Sequence, residues 1–412
     1  MKNNLYPGLI KKFGTPLFVL NEEKLISQFG KITASFKKYY KDTIVAYSFK
    51  TNYVPYICKV LYANGAYAEV IPGFEFALAK KLKIPGAKII VNGPYKPEGE
   101  LNEIINYDCR INVDNKTELL IINKLAGKLH KNIGIGIRLN AIVGEELWDK
   151  FGFNIESNEA YNIAEMIKNE LKNIHLSGVH MHIGTNIIHP IEYEKAVFKV
   201  IKFIKEIIDD FNINLDYIDI GGGFPSTGAH SKEYKRSEWI VPKIEEYAKL
   251  ICTPLSKLST SIHHKPLLIL EPGRYIVDDA VSLLAKVIAI KNTSNKNIVF
   301  LDAGVNIIPD ALFREHHINT FKKTGEKEEY LISGPLCMQS DILIDKIKLP
   351  KLSVGDVVEI QGMGAYTISN ASEFIRYKPA LVAIHNGESR CIRRKETLAD
   401  IIKTDSKIIF KK

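Results

Sequence analysis

At 412 residues with 46% hydrophobic side chains, the chain can bury a large core and reads as one big domain with a smaller companion. Its net charge of +9 comes from lysines spread along the sequence rather than from one basic block, which argues against nucleic acid as a partner. No segment approaches the roughly 20 apolar residues that span a bilayer, so no membrane partner is expected.

The opening run Met1-Lys2-Asn3-Asn4-Leu5-Tyr6-Pro7 lacks the apolar core of a signal peptide. The five cysteines (Cys58, Cys109, Cys252, Cys337, Cys391) are scattered without metal-type spacing and read as free thiols. Both features lead to the expectation of a cytoplasmic protein.

From about residue 44 to 271, short β-branched runs alternate with longer helical patterns, the mark of βα units around a parallel sheet. The predicted strands are 44–48, 66–70, 88–92, 110–114, 133–140, 175–182, 215–220 and 267–271, with helices at 116–129, 159–171, 192–210 and 238–250 among the segments between them. Eight strands in this length fit an α/β fold of the (β/α)8 TIM-type barrel class, spanning 24–274, whose active site is built at the C-terminal strand ends. Beyond Arg274 the helical patterns nearly vanish. Strand-like runs at 284–290, 298–303, 330–333, 356–361 and 380–385 predict a C-terminal β-barrel or sandwich domain, 275–412, to which residues 1–23 contribute a strand through Pro16-Leu17-Phe18-Val19-Leu20. The basic run from Arg390 to Lys395 reads as a solvated face or turn.

Polar and glycine residues concentrate at the predicted strand ends: Lys50, Glu69, Asn92, Asp114, Arg138 with Asn140, His182 with Gly184, Gly221-Gly222-Gly223, and Glu271-Pro272-Gly273-Arg274. Lys50 closes an apolar run, where its amine either stays charged and structural or forms a Schiff base with an aldehyde cofactor. The loops after strands seven and eight are the usual phosphate site of such a barrel, and three successive glycines let the main chain approach an anion, although a plain tight turn uses the same residues. Glu271 ends Leu267-Leu268-Ile269-Leu270 and is expected to be buried, so it needs a partner. A pyridine nitrogen would serve, and so would Arg274 or Arg138. His180 and His182, two apart, allow a metal pair, a ring-stacking His182, or ordinary core histidines; without a completing carboxylate cluster, no metal is assigned. In the second half, Gly334-Pro335-Leu336-Cys337-Met338-Gln339-Ser340-Asp341 and Gly362-Met363-Gly364-Ala365-Tyr366 break the strands, and Cys337 is either a small buried residue or a proton donor.

In this order, Tyr47-Ser48-Phe49-Lys50-Thr51-Asn52, Lys150-Phe151-Gly152-Phe153, His182-Ile183-Gly184-Thr185, Gly221-Gly222-Gly223-Phe224-Pro225, Glu271-Pro272-Gly273-Arg274, Gly334-Pro335-Leu336-Cys337, Asp341 and Gly364-Ala365-Tyr366 resemble the fold type III decarboxylases that use pyridoxal phosphate, the diaminopimelate, ornithine and arginine decarboxylases. The resemblance implies that Lys50 carries pyridoxal 5'-phosphate, His182 stacks on its ring and Glu271 pairs with its ring nitrogen. It places the phosphate on Gly222, Gly223, Gly273, Arg274 and Tyr366, with Thr185 as a helper. Lys50, His182 and Cys337 are implied catalytic residues, Cys337 as proton donor from a partner subunit of a homodimer with shared sites. Arg274, Met338, Asp341 and Tyr366 fall at substrate-contacting positions. A glutamate rather than arginine facing the ring nitrogen favours decarboxylation over racemisation. A racemase and a non-catalytic relative of the same fold are the other readings.

The chain departs from the diaminopimelate pattern at two places. The glutamate expected directly after the cysteine is Met338. The Arg-Pro pair expected soon after Asp302-Ala303-Gly304-Val305-Asn306 is missing, with Ile307-Ile308-Pro309-Asp310 in its place and Arg314 nearby. Losing two polar contacts should weaken recognition of a free diamino dicarboxylate. The expectation is therefore a decarboxylase of a basic or diamino acid, substituted or linked to a carrier protein in a specialised pathway, with diaminopimelate itself as the alternative. Glu69 also departs, because the family usually has aspartate there.

Overall fold

The protein is described by a computed structural model, over residues 2–143, 149–235, 237–261, 265–322 and 326–405. The chain forms two units: Ile26–Pro225 with Ile240–Ile276, and Met1–Leu25 with Ser226–Trp239 and Val277–Lys412.

The first unit contains eight parallel strands in a closed ring. They are β1 (Thr43–Ser48), β2 (Tyr67–Val70), β3 (Ile89–Val91), β4 (Arg110–Val113), β5 (Ile133–Asn140), β6 (Ile174–Met181), β7 (Tyr217–Asp219) and β8 (Leu267–Leu270). Pairing runs around the ring from β1 to β6 in sequence, then β7 and β8, and β8 returns to β1. Each predicted strand of this series is present, within a residue or two at its ends. The interior is packed rather than hollow: Ala46, Ile90, Tyr217 and Ile269 form a buried cluster, and Gly136 and Gly178 leave room for the Tyr217 ring, which any side chain at either position would strike. Burying a side chain of such size contributes about 1.5–3 kcal/mol.

Between the strands run helices that the sequence punctuates as capping chemistry requires. Lys116–Lys128 starts where the Asn115 side chain accepts the Glu118 N–H. Pro190–Phe211 opens on a proline, whose missing N–H costs nothing in the first turn, and closes at Asn212 in the left-handed region. One helix differs from expectation. The predicted segment at 238–250 is instead Ile244–Ser261, because Ser226–Trp239 belongs to the other unit, where Ala229–Ser231 pairs antiparallel with Arg314–His316.

The second unit is built around Leu17–Asn21, which pairs parallel with Ala380–His385 on one side and antiparallel with Val281–Asn292 on the other. The twelve-residue Val281–Asn292 also pairs with Asn297–Leu301 and Val357–Ile360, bending at a register shift between Val287 and Ala289. Tyr6, Leu9, Leu17, Val19, Leu284, Ala380 and Val382 form its core. Besides the three-residue strands Ala229–Ser231, Arg314–His316 and Ile318–Thr320, two longer ones escape the sequence reading: Ile342–Pro350 and Glu388–Arg393. Both are rich in exposed charge, as suits strands at the margins of a sheet. The basic run Arg390 to Lys395 is thus partly edge strand rather than turn. No helix among the described residues is long and apolar enough to cross a membrane.

Candidate active site

Lys50 lies in the 3-10 turn Phe49–Thr51 directly after β1. Its Nζ is 2.9 and 2.8 Å from the two carboxylate oxygens of Glu69, which closes in from β2 and has no solvent exposure. The glutamate that departs from the family's usual aspartate therefore grips the amine with both oxygens. The Lys50 side chain keeps 41% of its exposure, so this amine is paired yet reachable.

Glu271, one residue past β8, is buried. Its Oε1 accepts from Asn92 Nδ2 at 2.6 Å, and its Oε2 lies 3.3 Å from His180 Nε2. Burial alone would raise its pKa, but the His180 ring and hydrogen bonds from His180 and Asp219, with the Lys50 charge beyond, hold it well below the usual carboxylate range. Asp219, at the end of β7, moves the opposite way. Burial and the neighbouring Glu271 push it well above the carboxylate range, while its Oδ1 accepts the Gly221 N–H at 2.8 Å. Shared burial and mutual contact thus drive the two acids in opposite directions.

The partners the sequence suggested for Glu271, Arg274 and Arg138, are thus replaced by His180, Asn92 and Asp219. His180 is more than a core histidine, and the completing carboxylates judged absent from the sequence do reach it: ligand atoms of His180, Asp219 and Glu271 lie within 4.8 Å of one another. The chemistry of this set is nevertheless that of an internal hydrogen-bond network. A cation would have to compete there with the Asn92 N–H, which already donates to Glu271 Oε1 at 2.6 Å.

His182 follows β6 and accepts the Gly222 N–H through Nδ1 at 3.1 Å, which leaves the ring proton on Nε2. Withdrawal from water, then the charges of Arg138, Lys50 and His180, lower its pKa from 6.5 to about 3. It is a flat, neutral ring at any physiological pH. The glycine loop after β7 is tied down by three contacts: Glu271 N–H to Gly221 O at 2.8 Å, Tyr193 hydroxyl to Gly222 O at 2.7 Å, and Ile187 N–H to Gly223 O at 3.0 Å. Phe224 stacks on the same Tyr193, ring centroids 5.1 Å apart. Added side chains would collide: at Gly222 with the Glu271 carbonyl, at Gly223 (φ +99°) with the Gly184 carbonyl, and at Gly273 with the Thr51 hydroxyl. Arg274 is buried beside Gly273, and Thr185 is exposed at the loop after His182. Lys50, His182, Gly222, Gly223, Glu271, Gly273 and Arg274 therefore gather at one end of the barrel. The residues fit pyridoxal phosphate: a reachable amine, an anionic buried carboxylate for a ring nitrogen, a neutral planar imidazole, and bare main chain for a phosphate.

The remaining expected site residues lie in the sheet unit. Cys337 is exposed and Met338 is 40% exposed. Asp341 is 1% exposed, with Oδ1 accepting the Val305 N–H and Oδ2 the Leu336 N–H, both at 2.8 Å. Asp341 thus ties the segment at Val305 to the loop that carries Cys337, one carboxylate oxygen on each. Tyr366 has φ +66°, a strained value for a bulky residue. Its neighbours are anchored on both sides, the Ala365 N–H by Asp278 and the Thr367 hydroxyl by Asp310. Arg314 bridges those same two carboxylates at 2.5 and 3.0 Å and is 1% exposed, so it cannot reach a substrate carboxylate. Asp219 was missed in the sequence; an acid inside the apolar run Tyr217-Ile218-Asp219-Ile220 was the available signal.

Residues 26–278 match the pyridoxal binding domain of the pyridoxal-dependent decarboxylases, and residues 215–364 match the C-terminal sheet domain of the same enzymes. A diaminopimelate decarboxylase of Methanocaldococcus jannaschii is 33% identical, covering 96% of this chain and 92% of its own length, and one from Aquifex aeolicus is 30% identical with the same coverage. The crystal structure of the M. jannaschii protein superposes with a TM-score of 0.89 over 97% of this chain and 94% of its own, and that of a Helicobacter pylori diaminopimelate decarboxylase complexed with L-lysine with 0.85 over 97% and 98%, at 26% identity. With a cofactor cradle that suits the group and a match along nearly its whole length, the chain belongs to the pyridoxal-dependent decarboxylases.

Proposed function

We propose that this chain removes the α-carboxylate of diaminopimelate. The observation that carries the proposal is end-to-end similarity to proteins of that name. When bound, pyridoxal phosphate supplies an aldehyde for the substrate amine and a protonated ring that takes up the electron pair left by departing CO2. Lys50 holds it covalently, Glu271 keeps the proton on the ring nitrogen, His182 offers its neutral face, and the glycine loops with Arg274 and Tyr366 receive the phosphate, Thr185 assisting. Cys337 holds the proton that returns to the substrate carbon. Asp341 fixes the loop on which Cys337 stands, and Met338 beside it faces the substrate tail.

A specialised, substituted or carrier-linked substrate finds no support among the relatives. One observation keeps it as a second reading: Met338 offers no charge, Pro309 offers no donor, and Arg314 is committed to Asp278 and Asp310. A diamino acid whose tail is amide-linked would lose little there. A CO2-release assay comparing diaminopimelate, lysine, ornithine and amide-linked diamino acids decides between them. Turnover of diaminopimelate is expected; its absence beside turnover of a linked diamino acid would replace the first reading with the second.

A homodimer with shared sites is part of the proposal, and so is a cytoplasmic location, with which the five free cysteines agree. If one protomer supplies Lys50 and its partner Cys337, mixing inactive Lys50→Ala and Cys337→Ala protein should restore up to about a quarter of wild-type activity through reassorted dimers. Recovery of none after proven subunit exchange would reject the shared site.

A further inference from the structure

We propose that Asn92 is a positioning residue of the cofactor site, tying the carboxylate that partners Lys50 to the carboxylate that meets the ring nitrogen. Asn92 directly follows β3 and is 4% exposed. Its Nδ2 donates to Glu271 Oε1 at 2.6 Å and to Glu69 Oε1 at 3.1 Å, so a single amide group supplies both hydrogens to two buried acids. Which way the amide faces is determined by what lies behind it. The Tyr217 hydroxyl donates to Asn112 Oδ1 at 2.7 Å, which turns Asn112 Nδ2 toward Asn92 Oδ1 at 2.9 Å, which in turn leaves Asn92 Nδ2 for the carboxylates. A flipped Asn92 would set its oxygen against two carboxylates and its hydrogens against a donor. Tyr217 stays a donor because burial raises its pKa.

The consequence is mechanical and electrostatic together. Glu69 and Glu271 are like charges in a poorly solvated space, where repulsion would drive them apart or protonate one of them. A neutral donor pair holds them at a fixed separation while leaving Lys50 as the cation of Glu69 and the ring nitrogen as the cation of Glu271. Asn92 therefore couples the lysine end of the cofactor to the ring end without touching the cofactor. The inference rests on membership of the decarboxylase family and is independent of which amino acid is the substrate.

The test is a titration of apoprotein with pyridoxal phosphate followed by visible absorbance, for wild type, Asn92→Leu, Glu69→Gln and the double variant. Asn92→Leu should weaken cofactor binding by about tenfold or more and move the absorbance maximum of bound cofactor, because Glu271 loses its fixed place. The double variant should bind about threefold or more tighter than the product of the single losses, since Asn92 no longer separates two charges. Unchanged affinity and spectrum in Asn92→Leu with only a lower melting temperature, or single losses that multiply independently, would overturn the proposal. Should Asn92→Leu not fold, Asn92→Asp, equal in shape but unable to donate to both acids, is read by the same titration with the same two outcomes. A wild type that takes up no cofactor would instead challenge the assignment of the whole site.

Discussion

Two buried acid clusters are held together in opposite ways. In the sheet unit, Asp278 and Asp310 share Arg314, and His316 lies 3.3 Å from Asp310. Burial would raise the pKa of Asp310, but His316 and Arg314 bring it down to about 2, and the two carboxylates raise that of Arg314 in return. The cluster holds its own buried cation, and it anchors both sides of the strained Tyr366. At the barrel end, Glu69 and Glu271 are bridged by the neutral Asn92, with Asp219 buried beside them, Lys50 paired to Glu69 and His180 set against Glu271. That cluster is completed by neutral donors and by an amine that stays reachable. A cluster closed around its own buried cation is scaffold; one resting on neutral donors beside a reachable cation is prepared for a ligand.

Exchanging the roles of charge breaks or sharpens this contrast. The largest effect is expected from Glu271→Gln, which should lower kcat by roughly 10²–10³-fold, within the range of a lost acid–base group. Its folding stability should change by no more than about 1 kcal/mol, because the amide oxygen can still accept from Asn92. Arg314→Leu should do the reverse for stability, costing about 3–5 kcal/mol in urea unfolding by removing the guanidinium that two buried carboxylates share. Equal stability losses in the two variants would show that both clusters are scaffold.

The barrel was legible because each strand is a short β-branched run bounded by polar or glycine residues. Lys50, His182, Glu271 and the glycine loop each stand at such a strand end, and the structure gathers them at one end of the barrel. Asn92 stood in the same series without a role, since an asparagine's task depends on what lies across the barrel: Glu69, Glu271 and Asn112 are 23, 179 and 20 residues away in sequence. The true partners of Glu271 were hidden for the same reason. Ser226–Trp239 was assigned to the barrel by continuity, although its pairing partner lies beyond residue 310. Ile342–Pro350 carries too much exposed charge for its alternation to stand out.

Glu75 gives the smallest effect and the finest division between the two kinds of cluster. It lies in the helix Phe74–Lys81, is 6% exposed, and accepts the Ile71 N–H at 2.9 Å. Burial raises its pKa from 4.5 to about 7; the Ile71 N–H and Lys50 lower it, and Glu69 raises it, without undoing that shift. A folded-state pKa above the unfolded value means that stability is full below pH 4.5 and declines as pH rises toward 7, where the folded chain must ionise a buried acid. Glu75→Gln keeps an oxygen for Ile71 and removes the charge. It should stabilise the protein by about 2–3 kcal/mol at pH 8 and leave it unchanged at pH 4, as read by urea unfolding at both pH values. The same gain at both would mean that packing rather than charge sets the difference. A loss at pH 8 would mean that ionised Glu75 is a working member of the Lys50 and Glu69 group, and that the ligand-ready cluster extends one acid further than its hydrogen bonds indicate.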